Sequence, residues 1–297
     1  WFARAVLLFD RAGGERSLLL DELVPALGRI VEAYRDGTDP RTAALDVRVD
    51  ADEGLHVGSP ERNPTWMDAQ TPAGPVTPRH GYPVEIAALW CSLLAHLAEH
   101  AGGSARREAA ERAAATFLRR FWLEDEGRLV DVWDPDAADR SIRPNMVLAA
   151  ALELSPLDTT MRRCVVEAAR THLLTPLGLR TLAPSDPAYR GRYEGGPEER
   201  DGAYHQGTVW PWLVGGFVEA ALRVDAGAGS RKRLRGLLTG FEEELERGGI
   251  GHVAEVYDGD APHRRGGTFA QAWSTAEIMR ALALLDGRLS LGREARS

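Results

Sequence analysis

The sequence predicts an all-α fold, a toroid of paired helices whose long loops gather at one end. Two observations lead there. Apolar residues recur at i, i+3, i+4 and i+7, the spacing of one buried helix face, in segment after segment of the 297 residues. Between those segments run polar connections rich in Gly, Pro and Asp, at 36–82, 123–141, 174–206 and 248–267. Loops of that length in a compact domain usually carry function.

The chain opens on Trp1, already inside an apolar pattern of Phe2, Val6, Leu7 and Phe9, so the natural protein is expected to begin further upstream. A second helix is read over 17–34. After Pro83, which suits a first helical turn, Ile86, Leu89, Trp90, Leu93, Leu94 and Leu97 give the clearest helical stripe. Similar patterns cover 106–121, 144–154, 161–173, 208–222, 231–245 and 268–285, about nine helices with the opening piece. Segments 45–49 and 129–133 alternate like short strands and are expected as hairpins beside the helices, not as a sheet. With no linker or composition break, residues 1–297 are read as a single domain. A toroid of six helix hairpins needs twelve helices, so about three are expected to be missing before Trp1.

A hydrophobic content of 44% supports a sizeable core. The net charge of −8 and a pI near 5.6 would repel a phosphate backbone, which excludes nucleic acid as a partner. The basic run Arg231-Lys232-Arg233 reads as a solvated helix face. No window approaches the ~18–20 apolar residues of a membrane span, and no signal-peptide layout opens the chain. Cys91 and Cys164 sit in apolar helical stretches as free thiols, and a cytoplasmic protein is expected. His96-Leu97-Ala98-Glu99-His100 spells the H-x-x-E-H of an inverted zinc protease. Its histidines are placed on the polar side of their helix with no third ligand in view, so no metal is expected, and no organic cofactor either.

Polar residues and tryptophans concentrate in the loops and first helical turns, where packing gives no reason for them. In Thr65-Trp66-Met67-Asp68-Ala69-Gln70 a carboxyl stands beside an indole, a setting that raises its pKa and lets it donate a proton near neutrality. The competing reading makes Asp68 a helix cap. In Thr77-Pro78-Arg79-His80-Gly81-Tyr82-Pro83-Val84-Glu85, Arg79, Glu85 and the following Trp90 are candidate sugar contacts; Glu85 equally suits a helix N-terminus. Arg143 and Asn145 open another helix, free to bind a ligand or to pin loops. The densest stretch runs through Tyr193-Glu194 to Tyr204-His205-Gln206 and Trp210-Pro211-Trp212, ahead of a helix apolar on nearly every side. That helix is expected on the inside of the toroid, which makes Glu194, Tyr204, His205, Gln206 and Trp210 candidate ligand contacts. Finally, Glu255 lies in a short extended run before the Asp258-Gly259 turn, followed by Trp273. Paired carboxylates with stacking aromatics are what glycoside hydrolysis needs.

These motifs resemble the glycogen debranching enzymes, in the part that carries the amylo-α-1,6-glucosidase domain. Thr65 to Ala69, Thr77 to Ile86, Arg143 to Asn145, Asp201 to Trp212, and Glu255 to Asp260 with Ala270 to Ser274 follow that family's pattern in its order, over nearly the whole chain. The resemblance implies an (α/α)6 toroid of six-hairpin glycosidase type and inverting hydrolysis of an α-1,6-linked glucose at branch points of glycogen or limit dextrin. Asp68 would match the general acid and Glu255 the general base, the branched glucan being the partner along with the upstream part of the same polypeptide. Gln70 stands where the family usually has Lys. Two alternatives stay open: a glucan-binding protein without turnover, and a six-hairpin glycosidase of different substrate.

Overall fold

Helix α1, Phe2–Arg11, lays Val6 and Leu7 against the core. The computed structural model describes residues 1–37, 40–248 and 250–291, apart from the side chains at 41, 42, 101 and 247. A π-helical turn, Leu18–Leu23, runs directly into α2, Val24–Asp36, which Gly37 ends in the left-handed conformation at φ 61°. The short α3, Pro40–Ala44, follows. Next come α4, Val84–Ala101, and α5, Ser104–Phe121; α6, Asn145–Ala151, and α7, Thr159–His172; and α8, Pro197–Tyr204. The remainder are α9, Leu213–Val224, α10, Ala228–Gly236, α11, Thr239–Glu243, and α12, Ala272–Leu285.

These helices alternate between two shells. In the inner shell α1 packs on α4, α4 on α6, α6 on α9 and α9 on α12. Behind them α2 and α5 pack on α4, α7 on α6 and α9, and α10 on α9 and α12. The sequence explains the sorting. Every residue of α6 is buried, as is every residue of α9 from Leu213 to Arg223, whereas α7 buries only Arg162, Val165 and Ala169 along one stripe. A helix apolar all round belongs inside, and an amphipathic one outside. Paired helices in concentric shells are the expected toroid. Among the described residues no helix is long and apolar enough to cross a membrane.

One buried charge ties three inner helices together. Glu219 of α9 pairs with Arg4 of α1, with Arg223 one turn on at 2.9 Å, and with Arg280 of α12 at 2.7 Å. Burial raises its carboxyl pKa, but the three guanidiniums outweigh that and hold it at about 2.

The loops hold the surprises. Two- and three-residue strands form an antiparallel five-stranded sheet in the order 265–266, 256–257, 209–210, 178–180, 174–175. Strands of that length carry no readable period. The sheet claims Trp210, which the sequence reading placed in a helix starting at 208; α9 begins only at Leu213. The helix expected over 231–245 breaks between α10 and α11, where Gly236 lowers helix propensity and the backbone N–H of Leu237 turns back to the Leu234 carbonyl. Of the two strand-like segments, Arg48–Val49 forms the expected hairpin with Leu55–His56 and Leu129 lies in one with Trp122, but Val132–Trp133 pairs with the distant Tyr82–Pro83. The five-stranded sheet draws the 203–210 and 254–268 loops together at one end of the helices.

Candidate active site

Asp68 leaves an extended segment, and no helix follows it: Met67 to Ala69 lead into the strand Gln70–Thr71. The capping role therefore falls away. Asn63 clamps the turn before it, its Nδ2 donating to the carbonyls of Met67 and Thr77 at 2.6 Å each. Met67 and Ala69 point into the protein and Asp68 points out. Although the side chain reaches solvent, its surroundings strip enough water to raise its carboxyl pKa, and no basic group offsets the shift. Among the described residues no side chain donates it a hydrogen bond.

Beneath this loop lies a chain of buried polar contacts. The Trp66 indole Nε1 donates to Asn145 Oδ1 at 2.7 Å, and Asn145 Nδ2 donates to Asp131 Oδ1 at 2.7 Å. Arg79 Nε donates to Asp131 Oδ2 at 2.7 Å, while its Nη2 donates to Glu85 Oε2 at 2.6 Å. Arg79 and Asn145 are wholly buried and Glu85 nearly so. Burial disfavours the Arg79 charge, but Asp131 and Glu85 more than reverse this and raise its pKa. These residues, read from sequence as sugar contacts, present no surface to a sugar; they hold Trp66. Arg143 is buried too. It donates to the carbonyl of His205 at 2.8 Å and to Gln206 Oε1 at 2.9 Å, and Gln206 Nε2 reaches the Val76 carbonyl at 3.1 Å. Arg143 and Gln206 thus fasten the 203–208 loop to the loop bearing Asp68.

His205 is wholly buried as well, stacked on Trp210 at 5.3 Å. Burial first, then Arg143 and Arg79, push its pKa down to about 3, so the ring is neutral. Gly207, just beyond, takes φ 142°, and a Cβ there would stand 2.5 Å from the Arg190 carbonyl, so only glycine lets the chain turn here.

Glu255 faces the same region from the other loop. Its Oε2 accepts from the Thr268 backbone N–H at 2.9 Å and its Oε1 from Gln271 Nε2 at 3.1 Å. The Tyr204 phenol lies close beside it. Burial, Glu255, Tyr193 and Asp68 together raise the Tyr204 pKa, so this phenol senses both candidate carboxylates. Gly267 backs the arrangement at φ 65°: a Cβ there would lie 2.2 Å from Glu255 Oε2. Asp258, three residues on, is buried and accepts from the Tyr193 backbone N–H at 2.8 Å, which brings Tyr193 over Tyr204.

Aromatic rings wall the space beside Trp66. Trp212 meets it edge-on at 5.0 Å and Trp210 does so at 5.3 Å, while Trp273 stacks on Trp212 at 5.2 Å and remains 39% exposed. Trp1, Trp66, Trp212 and Trp273, with Arg4, Glu277 and Arg280, line a cavity of about 260 Å³. That is just under the roughly 300–1,000 Å³ of drug-sized ligand pockets. Neither Asp68 nor Glu255 lines it; Trp66, two residues before Asp68, forms one of its walls. Apolar ring faces beside charged rims suit a pyranose, with its apolar face and its equatorial hydroxyls.

Two expected contacts lie apart from this group. Trp90 is buried on the outer side of α4, its Nε1 bonded to the Glu53 carbonyl at 3.0 Å and its ring 6.1 Å from Tyr34, as a core residue. Glu194 is exposed beyond Tyr193 and, among the described residues, forms no ion pair. Conversely, Trp212, Gln271, Tyr193 and Asp131 belong to the site without having been singled out. Trp212 and Gln271 were within reach, since each lies inside a motif already quoted; Asp131 looked like the outward residue of a strand.

Two shells of paired helices with their long loops gathered at one end form an α/α toroid of the six-hairpin glycosidase fold. The family described as amylo-alpha-1,6-glucosidase matches residues 1–280, and the chain belongs to it. A curated relative, the glycogen debranching enzyme of Saccharomyces cerevisiae, is 28% identical over 227 residues; the match covers 59% of this chain and 15% of that protein's length. Neutral trehalase Nth1 from Saccharomyces cerevisiae shares the fold, with a TM-score of 0.64 at 13% identity, covering 98% of this chain and 64% of that one. The GH63 mannosylglycerate hydrolase from Thermus thermophilus superposes with a TM-score of 0.49 at 18% identity, covering 70% of this chain and 46% of its own.

Proposed function

We propose that this protein removes α-1,6-linked glucose at branch points of glycogen or a limit dextrin, with inversion at the anomeric carbon. One observation carries the reading: Asp68, its pKa raised by desolvation, and Glu255 both bear on the phenol of Tyr204 beside an aromatic wall. Asp68 protonates the glycosidic oxygen as the bond to C1 breaks. Glu255 takes a proton from the water that attacks C1 from the opposite face. Gln271, the Thr268 backbone N–H and the Tyr204 hydroxyl aim the Glu255 carboxylate at that water. Trp66, Tyr204 and Trp273 touch the sugar. Arg79, Glu85 and Asn145 act through Trp66, and Arg143, His205, Gln206 and Trp210 act through the loop bearing Tyr204. Glu194 stands on the rim. The free thiols of Cys91 and Cys164 fit a cytoplasmic setting.

Incubation with an oligosaccharide bearing a single α-1,6-linked glucosyl branch, followed by proton NMR of the earliest product, tests this. β-Glucose appearing first and mutarotating to the α anomer is expected. α-Glucose first would overturn inversion, and binding without any release would leave a glucan-binding protein.

A further inference from the structure

A second group of chemistry-bearing side chains lies near the other end of α4, eleven residues or about 16 Å of helix beyond Glu85. His96 and His100 are one turn apart on the same face, and the end of α1 brings Asp10 against them. One ligand atom from each of the three lies within 4.8 Å of the other two. His100 Nε2 is 2.8 Å from Asp10 Oδ2, and the two imidazole rings meet edge-on with centroids 4.7 Å apart.

His96 does not sit on the polar side of its helix, where the sequence reading put it. It is only 1% exposed, because α1 covers the last turns of α4, and neither ring nitrogen has a hydrogen-bond partner among the described residues. An imidazole buried with both nitrogens idle is costly, and something must repay it. The charge around the group also favours a cation. Asp10, Glu99 and Glu153 surround one guanidinium, Arg11, which pairs with Glu99 at 2.7 Å and Glu153 at 3.1 Å. Glu153 also lies within the field of Arg223, so three carboxylates face two guanidiniums and leave one negative charge.

We propose that Asp10, His96 and His100 form a binding site for a borderline divalent ion, zinc foremost, that clips α1 to α4. Two imidazoles and a carboxylate are the donor set of zinc, cobalt or nickel and not of calcium or magnesium, which take oxygen ligands. Ligands at about 2.0–2.1 Å from a tetrahedral zinc stand roughly 3.3 Å apart, within the spread of the three side chains. The ion replaces the His100–Asp10 hydrogen bond, and a water takes the fourth position. Any proton on the second nitrogen of a ligating ring remains there; a proton on the ligating nitrogen is released to solvent. The site lies away from the proposed carboxylates, so its role is to hold helices together.

The test uses the purified protein without a polyhistidine tag, stripped by chelator, dialysed against dilute zinc chloride and analysed for metal. About one zinc per chain is expected, with a melting temperature several degrees above the stripped protein and reversed by EDTA. Asp10→Asn and His100→Gln, checked for native circular dichroism, lose both the ion and the shift. The unmutated protein loaded with cobalt(II) shows the intense visible bands of a four- or five-coordinate ion, a readout that needs no variant to fold. Bound zinc well below stoichiometry without a melting shift, a weak six-coordinate cobalt spectrum, or full retention of zinc by both variants would overturn the proposal.

Discussion

The indole of Trp66 is tied to the side chain of Asn145 across 79 residues of sequence, Nε1 to Oδ1 at 2.7 Å. Asn145 in turn is held by Asp131, so one amide sets the tilt of the ring beside Asp68. Replacing Asn145 by Leu leaves the buried carboxylate of Asp131 short of a donor and the indole N–H short of an acceptor. Each buried group stranded this way costs about 1–3 kcal/mol. The variant is expected to melt several degrees lower in a calorimetric scan and to turn over substrate more slowly, with kcat falling more than KM rises.

Glu85 is one of two carboxylates neutralising the wholly buried Arg79. Removing one partner of a buried pair costs roughly 3–5 kcal/mol, because the other charge is left uncompensated. Glu85→Ala is expected to lower the unfolding free energy measured by urea denaturation by that margin, whereas a sugar-binding role alone would leave stability unchanged and raise KM.

Gly267 makes room for the Glu255 carboxylate. Alanine there collides with Oε2 and also takes an unfavourable positive φ, a backbone cost of roughly 1–2 kcal/mol. Steady-state kinetics of Gly267→Ala are expected to show kcat reduced at least tenfold with KM within about twofold, the mark of a displaced base and an intact aromatic wall.

His205 links pH to stability. Its folded pKa of about 3 lies below the ordinary value of 6.5, with burial as the first cause. A lowered pKa means that its contribution is fully present above pH 6.5 and is lost as the pH falls toward 3, because the unfolded state then binds the extra proton. Chemical denaturation at a series of pH values is expected to show that loss, and His205→Phe to flatten it.

Asp68 has the opposite sign. Its raised pKa means that ionisation above the ordinary carboxylate range costs stability, so Asp68→Asn is expected to melt slightly higher than the parent at neutral pH and equally at low pH. The effect is small, because the carboxyl reaches solvent. In the active protein the same shift moves the alkaline limb of the pH–rate profile upward, since the acid must remain protonated.

The helical part of this fold was open to reading because burial imposes a period. Ile86, Leu89, Trp90, Leu93, Leu94 and Leu97 mark an apolar stripe along α4, and the all-round apolar run after Trp212 marks α9 as an inner helix. The loop architecture was closed to reading for the converse reason. Val209–Trp210 and Val256–Tyr257 are strands two residues long, fixed by partners in distant loops. In the proposed site, Asp68 and Glu255 stand out by their sequence neighbours, but a charged residue gives no local sign of whether it is buried. Arg79, Glu85 and Arg143 therefore looked like ligand contacts until tertiary packing showed them paired beneath the loops. His96 was misplaced for the same reason, since the helix that covers it is α1, far away in sequence.

Glucose release from an oligosaccharide bearing a single α-1,6-linked glucosyl branch, by the protein and by Asp68→Asn at equal concentration and verified fold, bears most directly on the central claim. The account predicts release by the parent and a loss of roughly 10²–10⁴-fold in kcat for the variant, the share that general acid catalysis supplies. Equal release by both would contradict it.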